Sequence, residues 1–401
     1  MTASPRARAH GDRLGTAYLA VCLVGVALLL RAPITSMPAA LPALSADLGL
    51  TPAVAGLATG LPLICFGAFA FLSAPLASRV GVEGALVLAL GVALLGTLVR
   101  SLDRPVPFFV GVTLLGAGIA VGNVVVPALV RTYFAHRLAA MMGLYSLGLQ
   151  LGAALGAAVT TPLMVRAGWS WQWALAAWAP PLALMLVLWA PVWLGVRRRG
   201  LSATRVPTSL AVLVRRPLVW ATSLLMGLQA LIFYSLLTWL PQLLLDAGLS
   251  AGLAGVLLTA FNLLGVPGSF LGPLVVGTRR SGPTMVALSL GYAVVFGLLL
   301  LGPAAAVAGA ILGGLCQGAW LSISLTYIAR QPNPLDVPGV SALSQGLGYL
   351  VAAVGPILLG ALYSATGGWA IPLLVLLVAL VGVVGCAVVL ARADALARAD
   401  H

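Results

Sequence analysis

Lysine is absent from this chain, and all 21 basic residues are arginine. That excludes a Schiff-base lysine and the lysine of a phosphate-binding loop. Charged side chains of any kind are scarce, at 7% of 401 residues, where a soluble domain carries roughly 25%. The three histidines, His10, His136 and His401, fall in tails or a loop, which excludes an intramembrane histidine relay. The four cysteines, Cys22, Cys65, Cys316 and Cys386, stand in separate apolar stretches without a CxxC neighbour. They are small buried hydrophobes in this reading, with no disulfide framework and no metal set. Carboxylates are missing from membrane depth. Asp47 and Asp246 fall at the outer ends of apolar stretches, and Asp12, Glu83, Asp103, Asp336, Asp394 and Asp400 in loops or tails. Without an acidic pair, a histidine cluster or a cysteine pair at depth, a polytopic membrane enzyme is disfavoured. No catalytic residue, cofactor or metal is assigned.

What is present is apolar surface: 61% of the residues are hydrophobic. Stretches long enough to span a bilayer, about 17–25 residues, recur near 14–44, 54–78, 84–99, 106–130, 138–165, 171–194, 218–245, 252–276, 283–301, 304–328, 338–364 and 369–391. The first is too long for the core of a cleaved signal peptide and is expected to stay as a membrane helix. The predicted fold is an all-α membrane protein with twelve transmembrane helices in two six-helix bundles.

The arginines set the orientation. With the N-terminus inside, the cytoplasmic ends carry most of them and the outer side holds only Arg100, Arg104 and Arg166, with Arg31 inside the membrane. The formal charge of +13 therefore reads as a positive-inside pattern and not as a nucleic-acid surface. Both termini are expected in the cytoplasm, and the lipid bilayer is the partner. The expected divisions are a tail 1–13, a first bundle 14–194, a basic linker 195–217, a second bundle 218–391 and a tail 392–401. The halves also repeat. Asp47-Leu48-Gly49-Leu50-Thr51-Pro52-Ala53-Val54-Ala55-Gly56 matches Asp246-Ala247-Gly248-Leu249-Ser250-Ala251-Gly252-Leu253-Ala254-Gly255, and Gly168-Trp169 matches Gly368-Trp369 at nearly the same spacing. Such a repeat argues for parallel halves related by an axis along the membrane normal. Thr51 and Ser250 are expected helix N-caps.

Arg31 is the one charge placed inside an apolar stretch. An arginine at the centre of a membrane helix costs about 2.5–3.5 kcal/mol on insertion scales, so it faces a partner or a water-filled cavity. Without an acidic neighbour it suits an anionic or strongly polar guest. The alternative is a structural role, capping carbonyls freed where Pro33 and Pro38 break the helix. Thr35, one turn on, is expected to donate beside it. Asn123, Gln150, Gln229, Tyr234, Asn262, Gln317, Trp320, Gln345 and Tyr349 supply amides and aromatic faces for the rest of a substrate site. Asn123 is as readily an interhelical contact, and each of the other single Gln or Asn residues is more often one than a ligand contact. Gly148, Gly152 and Gly156 form a small-residue seam for close helix packing.

Leu30-Arg31-Ala32-Pro33-Ile34-Thr35-Ser36, Gly122-Asn123 with Pro127, Gly143-Leu144-Tyr145-Ser146, Trp239-Leu240-Pro241 and Ser344-Gln345-Gly346-Leu347-Gly348-Tyr349 with Gly355-Pro356 together resemble the cyanate/2-nitroimidazole transporter family of the major facilitator superfamily. The resemblance runs over essentially the whole length. It implies the major facilitator fold and a monomeric, multi-pass transporter of the bacterial inner membrane. It further implies movement of a small anion or small polar heteroaromatic by alternating access. The superfamily's loop motif after the second helix is degenerate here, with Ser78 at its Asp position and Val82 and Glu83 at its paired basic positions. Two alternatives stay open. Transport is either uniport or anion exchange, or symport with protons carried by the substrate or by Asp47 or Asp246. A multidrug-type exporter of neutral or apolar compounds is the rival substrate class, and an exporter of cations would be expected to carry a buried carboxylate.

Overall fold

The computed structural model describes residues 5–50, 52–198 and 209–399. Thr51 and the central part of the linker, 199–208, lie outside the described residues, so the N-cap expected at Thr51 does too. The described chain is helical: α1 (Pro5–Leu29), α2 (Ala32–Thr35), α3 (Met37–Asp47), α4 (Pro52–Val99), α5 (Pro105–Tyr133), α6 (Leu138–Val165), α7 (Trp171–Ala176), α8 (Ala179–Arg198), α9 (Leu210–Leu213), α10 (Pro217–Asp246), α11 (Ala251–Val275), α12 (Ser281–Leu298), α13 (Pro303–Ala329), α14 (Val337–Thr366) and α15 (Ala370–Ala399). Helix therefore continues into both predicted tails.

Eleven of the described stretches are long and apolar enough to cross a membrane, and one of them, Gly60–Val99, runs for 40 residues. At about 1.5 Å per residue it would be some 60 Å long if straight, twice a hydrocarbon core of about 30 Å. It is not straight. Gly81 at φ 77°, ψ 164° breaks α4, and only glycine adopts that backbone without strain. The two arms fold back on α5. A Cβ on Gly116 would lie 2.7 Å from Cys65, and one on Gly118 would lie 2.5 Å from the Ala89 carbonyl. Residues 65 and 89 would be about 36 Å apart on an unbroken helix, yet both touch one short stretch of α5. The second and third predicted spans are these two arms, which makes twelve.

The first span is broken too. Helix α1 stops at Leu29 and α2 starts at Ala32, leaving Leu30 and Arg31 in a turn. Proline has no N–H, so Pro33 and Pro38 cannot complete the ladder on either side. The seam predicted on α6 closes against this broken helix. A Cβ on Gly152 would come within 2.2 Å of the Leu28 carbonyl, and one on Gly156 within 2.0 Å of Thr35 Oγ1.

The repeat is visible as matched cross-links. Trp369 Nε1 donates to Asp246 at 2.8 Å, and Trp171 Nε1 donates to Asp47 at 2.8 Å. The equivalent tryptophan is thus Trp171. Trp169, which aligns by sequence, is left 43% exposed. Ser250 caps α11 as expected, accepting from the Leu253 N–H at 3.4 Å.

Most arginines gather at one end, with the ends of α5, α11, α13 and α15. That end is cross-linked: Arg398 donates to the Gly277 carbonyl at 2.9 Å, Tyr133 to Glu83 at 2.8 Å, and Arg216 pairs with Asp336. Glu83 and Asp336 are buried there, where the sequence pattern places both in loops. One apolar core lies wholly within the second half, from Ala221 to Leu390. A second is built mainly from the first half but takes in Met226, Leu325, Ile328, Val340, Leu343 and Tyr349. The two halves are therefore plugged together by apolar packing.

Candidate functional site

Arg31 projects from the broken turn towards the second half. Its Nη1 donates to Tyr234 Oη at 2.9 Å and its Nη2 to Tyr349 Oη at 3.2 Å. The Phe66 ring centroid is 6.0 Å from the guanidinium carbon, within range of a weak cation–π contact. The rings form a cluster, with Phe66 and Tyr349 centroids 5.1 Å apart and Tyr234 and Tyr349 6.3 Å apart. Arg31 stays part-buried. A guanidinium has five N–H donors, and among the described residues only these two hydroxyls engage it. The single ion pair among the described residues, Arg216 with Asp336, is elsewhere.

Two more pairs join the halves. Gln345 Nε2 donates to the Asn123 carbonyl at 2.8 Å, and Gln150 Nε2 to Gln317 Oε1 at 3.3 Å. Asn123 Oδ1 accepts from Tyr145 Oη at 3.4 Å, while its Nδ2 is buried without a partner. Trp320 Nε1 is likewise buried and unpartnered. Of the eleven residues singled out from the sequence, Arg31, Tyr234 and Tyr349 form one cluster. Asn123 and Gln345 form a second, and Gln150 and Gln317 a third.

The other four behave differently. Thr35 does not donate beside Arg31. Its hydroxyl returns to the carbonyls of Arg31 and Ala32, at 3.2 and 3.3 Å. Asn262 donates to the Leu258 carbonyl at 2.9 Å, on its own helix. Gln229 donates to the Met226 carbonyl at 3.1 Å. Trp320 is buried at 1% exposure with no hydrogen bond to the cluster.

Arg100 corrects the sequence reading most sharply. Expected at the outer surface, it is fully buried. Its Nη1 donates to the Pro33 carbonyl at 2.6 Å and its Nη2 to Ser36 Oγ at 3.4 Å. The capping of the broken first helix, an alternative for Arg31 on sequence grounds, is done by Arg100. A second charge at the end of an apolar run was the available signal, but a helix-end arginine and a buried one look alike in sequence. Phe66 carries no signal in the sequence either, since one phenylalanine among many apolar residues is unmarked.

The inter-half contacts have a direction. Gly67 faces Leu350 and Gly346, Phe71 faces Gly346, and Gly143 lies against Phe270. These run from the level of Arg31 towards the arginine-rich end. Hydrogen bonds between the described halves join Arg31 with Tyr234 and Tyr349, Gln345 with Asn123, and Gln150 with Gln317.

Comparison with known proteins agrees with this architecture. Residues 19–309 match the model of the Major Facilitator Superfamily. The chain is 35% identical to the 2-nitroimidazole transporter of Escherichia coli K12 over 353 residues, 87% of this chain and 89% of that one. It is 29% identical to the cyanate transport protein CynX of the same organism over 350 residues, 86% and 90% of the two chains. Among solved structures, the Major Facilitator Superfamily transporter FucP in the outward conformation superposes with a TM-score of 0.71 at 14% identity, covering 94% of this chain and 98% of that one. The chain is a multi-pass membrane transporter and not an enzyme, and it belongs to the Major Facilitator Superfamily, in the family that holds the cyanate and 2-nitroimidazole transporters.

Proposed function

We propose that the protein moves a small anion or a small, polar, acceptor-rich heteroaromatic, held between the halves by Arg31. The observation that carries this reading is the guanidinium bridging Tyr234 and Tyr349 with no carboxylate among the described residues to neutralise it. Three of its five donors have no described partner. Both tyrosine hydroxyls, acting as acceptors towards Arg31, keep their protons for a ligand. Asn123 Nδ2 adds an unpartnered buried donor on the neighbouring helix pair. A lining made of donors selects an acceptor, such as a cyanate ion or a nitro group, and the Phe66, Tyr234 and Tyr349 faces suit a flat solute.

In this reading the described geometry is taken as the outward-facing step of alternating access, with the arginine-rich end cytoplasmic by the positive-inside rule. Release on the other side then requires the two Arg31–tyrosine bonds to be replaced as the halves rock apart. Relatives that carry cyanate or 2-nitroimidazole support the substrate class.

A thermal-shift panel of cyanate, nitrate, 2-nitroimidazole and imidazole, run on the parent and on Arg31→Gln, tests the site. At least one of the acceptor-rich compounds is expected to stabilise the parent in a saturable way and to lose about tenfold or more in affinity in Arg31→Gln, the worth of a charge-assisted hydrogen bond. Equal stabilisation of both proteins removes Arg31 from the site.

A further inference from the structure

At the arginine-rich end a cavity of about 360 Å³ opens between the halves, lined by Arg131, Ala135, His136, Leu138, Ala139 and Arg330. The first five run from the end of α5 through the connecting turn to the start of α6, and Arg330 follows α13. Arg131 and Arg330 stand 199 positions apart, the spacing that relates Asp47 to Asp246. They are one position of the repeat, brought twice to a single cavity.

The positive-inside rule accounts for arginine at this end. It does not account for two repeat-related guanidiniums and an imidazole sharing a cavity with no carboxylate in its lining. The acids nearby are engaged elsewhere: Glu83 with Tyr133, Asp394 with Tyr327 and Ser281, and Asp336 with Arg216. Arg330 gives one Nη1 bond to the Val276 carbonyl. The side chains of Arg131 and His136 make no hydrogen bond among the described residues. The first turn of α6, whose N-cap offers no side-chain acceptor, supplies Leu138 and Ala139 to the same lining, and N–H groups at a helix start favour negative charge.

We propose that this cavity is a regulatory anion site for a phosphate group, whose occupancy ties the two halves together and holds the arginine-rich end shut. Its volume is at the lower end of small-molecule sites, about 300–1,000 Å³, and leaves room for an organic remainder beside the phosphate. A phosphorylated metabolite and a phospholipid headgroup share that chemistry. The inference rests on the alternating-access reading, because opening this end carries Arg330 away from Arg131 and dismantles the site. An anion that binds only the closed arrangement shifts the population towards it.

The experiment uses the full chain in two preparations. In neutral detergent, melting is followed against inorganic phosphate at constant ionic strength. In nanodiscs of phosphatidylcholine, it is followed with and without added phosphatidylglycerol. Arg131→Gln is the main variant, since it breaks no described hydrogen bond, and Arg31→Gln is the control for the central site.

Saturable stabilisation by phosphate, weakened about tenfold or more in Arg131→Gln and still saturable in Arg31→Gln, supports a soluble ligand. Stabilisation by phosphatidylglycerol alone, with the same dependence on Arg131, supports the lipid headgroup. A spin-label distance between the halves at this end is expected to narrow in the state that binds. No saturable effect in either preparation, or an effect undiminished in Arg131→Gln, overturns the proposal. Loss of substrate binding in Arg31→Gln is read with the substrate panel and not with phosphate, so failure of the central site and failure of this one are distinguished.

Discussion

Two arginines lie inside this protein, and their surroundings assign them different work. Arg31 is part-buried and bonded across the halves to two hydroxyls, with donors left over. Arg100 is fully buried and bonded within its own half to a backbone carbonyl and a serine, a fixed arrangement. A buried cation without a counter-ion costs several kcal/mol even after relaxation, so Arg100 is kept for what it positions: the Pro33 carbonyl, two residues beyond Arg31. Ser36 Oγ also donates to that carbonyl, at 2.7 Å, so removing Arg100 does not strand it. Arg100→Met, similar in volume and uncharged, is therefore expected to melt no lower than the parent while transporting less, as the broken turn loosens. Thermal denaturation and proteoliposome uptake check the two halves of this statement. A loss of about 3 kcal/mol or more of stability would instead make Arg100 a net stabiliser.

At the scale of elements, glycine decides how closely helices approach. A Cβ on Gly318 of α13 would lie 1.8 Å from the Gly265 carbonyl of α11, so this contact is made by backbone on backbone and has no flexible side chain to yield. Overpacking of this kind costs about 1–3 kcal/mol or more. Gly318→Ala is expected to lower the melting temperature and to separate α11 from α13, displacing Gln317 from Gln150. A Cβ on Gly297 of α12 would meet nothing within 4 Å, and Gly297→Ala is expected to be neutral or to stabilise by up to about 1 kcal/mol through helix propensity. Melting curves of the pair separate close packing from a general intolerance of alanine. The sequence showed the seam on α6 because its glycines recur every four residues. The partner of that seam, the broken first helix, was not legible, because spacing on one helix says nothing about what packs against it.

For the whole molecule, the halves meet towards the arginine-rich end through apolar contacts, at Gly67, Phe71, Gly346 and Gly143; the proposed transport cycle has this end shut. Gly143 is part of it: a Cβ there would lie 3.0 Å from the Phe270 carbonyl oxygen and 3.3 Å from the Phe270 Cα. A leucine at this position has no room while the end is shut. Gly143→Leu is expected to prop that end open, leave the chain folded and monodisperse, and cut uptake by about tenfold or more, a closing penalty of roughly 1.4 kcal/mol. Uptake together with the accessibility of a cysteine introduced at Leu210, beside the plug, reads this out. Unchanged uptake would place the moving contact elsewhere.

The amino-acid sequence by itself determined the class of the molecule, twelve spans in two repeated halves, because bilayer thickness and the cost of charge in hydrocarbon act on each segment locally. It also marked Arg31, since one cation amid apolar residues stands out whatever surrounds it. Only the tertiary structure decided which residues that cation meets. Tyr234 and Tyr349 reach it from the other half, while Thr35, its near neighbour in sequence, turns back to its own backbone. Arg100 and Arg131 both read in the sequence as charges at the membrane rim. In the folded chain one is the cap of a broken helix and the other the wall of a cavity between the halves. The physical reason is the same for both. Composition records that a charge exists, but its role is set by the groups that folding brings within hydrogen-bond reach, and those come from distant parts of the chain.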